Sequence, residues 1–123
     1  MVLSIAVDAG PAVAGACGAR TESVLVQRAG GLAGTVERFV VNRAGADAAG
    51  AKVLALTAGQ RFRQLQASYL PADLCCDRFV YTVVARYADG SSKTVTTTDA
   101  TPFTPPPLLV IIRLMTEKEP IAT

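Results

Sequence analysis

The chain has 123 residues, which fits a single domain, and 50% of them are hydrophobic, enough to bury a substantial core. Its twelve basic residues are scattered among ten acidic ones, for a net charge of +2, so no basic stripe is available to follow a nucleic-acid backbone. The longest strongly apolar run, LLVII at 108–112, is too short to span a bilayer, so we expect neither nucleic acid nor a membrane as a partner.

Histidine is absent from the sequence. Its absence excludes Ser-His-Asp and Cys-His catalytic arrangements and every zinc site that uses an imidazole ligand. The adjacent Cys75 and Cys76 in PADLCCD lack the spacing typical of metal-binding thiolates, and no glycine-rich phosphate loop opens a helix with a suitable lysine. We therefore predict a protein that is not an enzyme, with no catalytic residue, no metal site and no cofactor.

The first segment in chain order is Ala/Gly-rich, and we predict that residues 1–21 form a mobile extension or add an edge strand through VLSIAV. This segment lacks the basic start of a signal peptide, and Asp8 and Pro11 interrupt its apolar stretch. Three cysteines, an odd number, are typical of free thiols in a reducing compartment. We expect a cytoplasmic protein.

Two runs rich in β-branched and aromatic residues, 23–29 and 35–42, flank the loop RAGGLAG at 28–34. Such runs on either side of a short glycine loop predict an antiparallel hairpin. Leu32 then lies at the tip of the hairpin, and two interpretations stay open. The glycines let the loop present Leu32 closely to a partner, or they only shape a turn while Leu32 folds back onto the sheet.

A helical pattern follows between Asp47 and Ser68, and Asp47 is a suitable N-cap. Gly50 and Gly59 are expected to weaken this helix by about 1 kcal/mol each. Apolar residues recur at spacings of three and four, which predicts one long helix: Leu54, Ala58, Phe62, Leu65 and Tyr69.

The strongest strand signal spans residues 77–99, where Phe79, Tyr81 and Val83 begin an alternation that predicts one buried face. Asp89 and Gly90 supply a turn, and KTVTTT predicts the returning strand of a second hairpin.

The last element is a proline-led helix after residue 104. Thr104 can cap it, and proline is tolerated in a first helical turn. Its predicted shared face consists of Leu108, Ile111, Ile112 and Met115. Together these segments predict an α+β fold: an antiparallel sheet of about four strands from two hairpins, with one long helix and a short C-terminal helix packed on it. The domain would occupy residues 22–116, followed by a charged tail at 117–123.

The order of these segments resembles the emfourin family over about residues 22–116. It runs from RAGGLAG through a helical segment to DRFVYTV, a turn, KTVTTTD, and the proline-led helix carrying PPPLL. The matching positions are Arg28, Gly30, Gly31, Gly34, Asp77, Arg78, Phe79, Tyr81, Thr82, Asp89, Gly90, Lys93, Thr94, Val95 and Leu109.

Emfourins are small proteinaceous inhibitors of thermolysin-like metallopeptidases, often associated with protealysin-type enzymes. The resemblance implies a protein that binds and blocks the active-site cleft of a thermolysin-like or protealysin-like zinc metallopeptidase. Those enzymes favour a bulky apolar side chain just past the scissile bond, which implies that Leu32 fills this pocket. The implied target-binding residues are Arg28, Gly30, Gly31, Leu32, Ala33, Gly34, Asp89 and Gly90.

Two other function classes stay open. An enzyme would need a site that the sequence does not display. A non-catalytic interaction or self-assembling module would associate through an exposed strand edge or the LLVII helix. We expect a monomer or a weak homo-oligomer.

Overall fold

The computed structural model describes residues 19–30, 34–70, 79–98, 104–118 and 120–121. Of the extension predicted at residues 1–21, residues 1–18 therefore lie outside the described residues. In chain order the elements are β1 (Thr21–Gly30), β2 (Thr35–Asn42), a 3-10 turn (Arg43–Gly45), α1 (Ala48–Ala58), α2 (Gln60–Arg63), β3 (Ser68–Tyr69), β4 (Phe79–Tyr87), β5 (Ser92–Thr98) and α3 (Pro106–Thr116).

The strands form one five-stranded sheet in the order β2-β1-β4-β5-β3. Both predicted hairpins are confirmed, since β1 pairs antiparallel with β2 and β4 pairs antiparallel with β5. The prediction of a four-stranded, purely antiparallel sheet was wrong, because β3 adds a fifth strand that lies parallel to β5. With two residues, β3 is too short to show the alternation that identifies a strand in a sequence.

The described helices and the sheet form an α+β fold, and the core lies between the sheet and the helices. Alternate residues along the strands face the helices. We call the opposite face, on which no described helix packs, the open face. The buried core consists of Val24, Val26, Phe39, Val41, Val53, Leu54, Phe62, Val83, Ala85, Tyr87, Val95, Leu108, Ile111, Ile112 and Met115.

The predicted long helix is two helices, because Gly59 adopts an extended conformation (φ −75°, ψ 160°) that ends α1 and precedes α2. Leu65 and Tyr69 continue the helical spacing in the sequence but follow α2, and Tyr69 lies in β3. The predicted N-cap is confirmed, since the Asp47 carboxylate accepts a 2.7 Å hydrogen bond from the Gly50 amide.

The C-terminal helix is confirmed as α3, with two prolines in its first turn and the predicted face buried. Thr104 is not its cap. Pro105 occupies the N-cap position, and the buried Thr104 hydroxyl lies 2.9 Å from the hydroxyl of Thr97 in β5. No helix in the described part of the chain is both long and apolar enough to cross a membrane.

Candidate functional site

The structure separates the predicted target-binding residues into two groups. Arg28, Gly30 and Gly34 lie where the first hairpin turns, whereas Asp89 and Gly90 form the turn between β4 and β5. The antiparallel register pairs Gly30 with Phe79 and Thr21 with Tyr87, so these turns lie at opposite ends of the sheet. Ten residues of β1 separate them by roughly 30 Å. Gly31, Leu32 and Ala33 lie outside the described residues.

Three connections share the end of the sheet that carries the first hairpin turn. Gly30 pairs with Phe79, and Val80 pairs with Thr98. The residues that flank segments 31–33, 71–78 and 99–103 are therefore brought together there. We call this the loop end, and the end that carries Asp89 and Gly90 the turn end.

Two glycines with positive φ bound the hairpin loop: Gly30 at 114° and Gly34 at 62°. Side chains with a Cβ rarely adopt this backbone region, so glycine is required at both positions to reverse the chain within a short connection. A Cβ added at Gly34 would meet no atom within 4 Å. The backbone conformation, and not crowding, accounts for this glycine.

Arg28 joins the two strands directly below the loop. Its Nε donates a 2.8 Å hydrogen bond to Oε1 of Glu37, the residue paired with it across the hairpin, and its Nη2 donates to the same oxygen. The guanidinium also lies over two rings, 5.3 Å from the centroid of Phe39 and 5.2 Å from that of Phe79. These contacts occupy a side chain that the resemblance assigned to target binding, and they hold the base of the hairpin in one geometry.

The surroundings of Arg28 favour the charged form of its guanidinium. Partial burial lowers the pKa of the guanidinium, but hydrogen bonds and charge interactions with Glu37 and Tyr81 outweigh this effect and raise the pKa overall. Tyr81 lies opposite Arg28 in the register, and its ring centroid is 6.4 Å from that of Phe79. These charged and aromatic side chains therefore form one connected group around Arg28 that spans β2, β1 and β4.

Exposed apolar side chains flank this group on both faces of the sheet. Val36, 47% exposed, pairs with Ala29 beside the loop, and Leu109 on α3, 52% exposed, lines a groove with Tyr81 and Thr98. Leu109 was among the positions that carry the family resemblance, but nothing in the sequence distinguished Val36 from the buried residues of its strand. Both are available to a partner that contacts the loop end.

The turn end has a self-contained explanation. Gly90 has a φ of 89°, and the Asp89 carboxylate accepts a 2.9 Å hydrogen bond from the amide of Ser91 and another from its hydroxyl. These hydrogen bonds from Ser91 lower the pKa of Asp89. Asp89 and Gly90 therefore close a hairpin turn.

The described residues contain no group of three or more His, Cys, Asp or Glu side chains that could hold a metal ion. Cys75 and Cys76, whose adjacent positions do not predict a metal site, lie outside the described residues. Comparison of the chain with protein-family models, curated proteins and solved structures finds no match.

Proposed function

We propose that the protein is a proteinaceous inhibitor that binds and blocks the active-site cleft of a thermolysin-like zinc metallopeptidase. The observation that carries the proposal is the construction of the loop end: a short loop between two positive-φ glycines, standing on a base fixed by Arg28. The resemblance of segments 22–116 to emfourins supplies the class of target.

A fixed base favours inhibition for a thermodynamic reason. Binding a loop that is free in solution costs conformational entropy, and a preorganised loop base reduces that cost. The side chain of Arg28 is 24% exposed and that of Glu37 is 34% exposed, so their ion pair is partly shielded from water. Such a pair resists separation better than a fully exposed one.

The loop sequence fits insertion into a narrow cleft. Glycines on both sides of Leu32 place little side-chain bulk around it, so the backbone can approach a cleft wall closely. In this proposal Leu32 is the apolar anchor, and Val36 and Leu109 contribute apolar surface at the margin of the contact. An interface of roughly 1,600 Å² in total supports tight binding if a few anchors are well buried.

The proposed contact surface excludes the turn end. A contact centred on the loop end does not extend roughly 30 Å along the sheet to Asp89 and Gly90. The inhibitory role therefore belongs to residues 30–34 with the surrounding loop-end side chains, and Asp89 provides a control position.

The experiment is an inhibition titration of a thermolysin-like enzyme at an enzyme concentration well above the expected dissociation constant. We expect reversible inhibition with an equivalence point at one inhibitor per enzyme. Asp89→Ala, which changes the turn end, should give the same equivalence point and inhibition constant as the unaltered protein. Lack of inhibition across several such enzymes at micromolar concentration, or loss of inhibition in Asp89→Ala while the fold is retained, would contradict the proposal.

One observation favours a second candidate, a self-assembling module. Leu25, Val40 and Val84 adjoin each other across β2, β1 and β4 on the open face of the sheet, where no described helix packs. A half-buried apolar row of this kind is a surface through which copies of a chain can associate. Sedimentation of the purified protein as a stable large oligomer, without inhibition of any metallopeptidase, would favour this candidate.

A further inference from the structure

The outer edge of β2 is bonded to the C-terminal tail of the same chain. Among the described strands, β2 is the last of the sheet on its side and pairs with β1 alone. The backbone amide of Ile121 donates a 2.8 Å hydrogen bond to the carbonyl oxygen of Arg38, in the middle of β2. Because Arg38 directs its carbonyl away from β1, alternate residues Val36 and Val40 also present their peptide groups to this edge.

A second attachment fixes the start of the tail. Lys118, two residues beyond α3, places its Nζ 2.9 Å from both carboxylate oxygens of Asp47. Asp47 is itself held as the N-cap of α1 through the Gly50 amide. The tail is thus joined to α1 through an ion pair and to the sheet edge through a backbone hydrogen bond, three residues apart.

We propose that the C-terminal tail, through its attachments at Lys118 and Ile121, is a strap that closes the outer edge of β2 against strand pairing with a second copy of the chain. A long uncovered edge strand is a template for such pairing, and natural proteins cover, shorten or interrupt it. β2 has eight residues, TVERFVVN, with neither proline nor glycine to interrupt pairing. The opposite edge strand, β3, has only two residues, so its length already limits pairing.

Once the strap is displaced, the edge of β2 fits a second copy of the chain, because that copy carries the same edge and is present wherever the protein is. Two identical antiparallel edges pair around a two-fold axis, which closes the assembly at a dimer. The strap and the second copy compete for the same carbonyl of Arg38. Displacement of the strap is therefore the step that permits pairing.

Two matched pairs of variants test the two attachments, one pair for each. Ile121→Pro removes the amide that donates to Arg38, whereas Ile121→Ala keeps it. Lys118→Glu places a carboxylate against Asp47, whereas Lys52→Glu makes the same charge change at an exposed position on α1. A chain ending at Glu117 removes the strap, and circular dichroism establishes that each variant is folded.

Sedimentation velocity over a concentration series measures the result. We expect the unaltered protein, Ile121→Ala and Lys52→Glu to share one weak self-association constant, and Ile121→Pro, Lys118→Glu and the shortened chain to dimerise about tenfold or more tightly. Amide exchange of Ile121 should be slowed in the unaltered protein and faster in Lys118→Glu. Equal sedimentation of all folded variants, a tight dimer of the unaltered protein, or an unprotected Ile121 amide would overturn the proposal.

Discussion

Gly50 lies in the first turn of α1, which packs on β1, and is buried beside Val41 of the neighbouring strand β2. A Cβ added at this position would lie 2.6 Å from Cγ2 of Val41, a distance that real side chains do not tolerate without movement. Val41 is 5% exposed, and its branched side chain in a strand has few alternative rotamers, so the methyl group cannot turn away. We therefore expect Gly50→Ala to destabilise the fold.

Two opposing effects determine the magnitude. Replacing glycine by alanine in a helix contributes at most about 1 kcal/mol of stability, whereas overpacking a core contact costs about 1–3 kcal/mol. The short distance to Val41 favours the upper part of that range, for a net loss of about 1–2 kcal/mol. In a domain of this size the melting midpoint should fall by roughly 5–15 °C.

Thermal and urea unfolding followed by circular dichroism measure this loss. Gly59→Ala is the control, because its Cβ would meet its nearest neighbour, the carbonyl of Leu56, at an ordinary 3.5 Å. Adding Val41→Ala to Gly50→Ala should relieve the crowding, so the double-mutant cycle should show a favourable coupling between the two alanines. A stabilised Gly50→Ala protein would refute the close packing of Gly50 against Val41.

Two further predictions concern charges. A hydrogen bond from Lys118, together with the Gly50 amide, lowers the pKa of Asp47 below its ordinary value of 3.8, so the stabilisation by this carboxylate is present above pH 3.8 and is lost as the pH falls through the lowered pKa. Asp47→Asn, which keeps a capping oxygen, should be less stable in urea than the unaltered protein at pH 7, and the difference should shrink below about pH 4; a constant difference at all pH values would contradict the assignment. Val83→Asp should fail to fold, because it places a carboxylate at a fully buried position. Tyr81→Asp should fold with a lowered thermal midpoint, because Arg28 lies opposite the new carboxylate. Two folded variants with equal thermal midpoints would contradict this distinction.

Elements with a strong local pattern could be predicted from the sequence. Alternation from Phe79 to Tyr87 identified β4, and the Asp89–Gly90 turn fixed the hairpin with β5. The spacing of Leu108 and Ile111 identified the buried face of α3. In these segments the residues that determine the local structure are near each other in the chain.

The remaining features depend on contacts that a local pattern does not contain. Gly59 interrupts a helical spacing that continues through Leu65. Periodicity alone therefore predicted a single long helix where the structure has two shorter ones. β3 is held by pairing with β5, which lies more than twenty residues along the chain. Ile121 reaches β2 through its backbone amide, which leaves no side-chain signal.

The candidate site divides in the same way. The glycines at 30 and 34 could be predicted as turn residues from the sequence, and their positive φ values agree with that interpretation. The role of Arg28 could not be predicted, because Glu37, Phe39 and Phe79 surround it only after β2, β1 and β4 have assembled. The separation of the loop end from the turn end likewise depends on the strand register.

The central claim, that the loop end inhibits a metallopeptidase through Leu32, is tested most directly by thermal melting and inhibition titration of one Leu32→Ala preparation. Val110→Ala, the truncation of an exposed apolar side chain on α3, is the control. We expect both variants to keep the melting midpoint, and only Leu32→Ala to raise the inhibition constant, by about ten- to a hundredfold, as the loss of a buried anchor does. An unchanged inhibition constant with a lowered melting midpoint would show that Leu32 belongs to the core and would contradict the account.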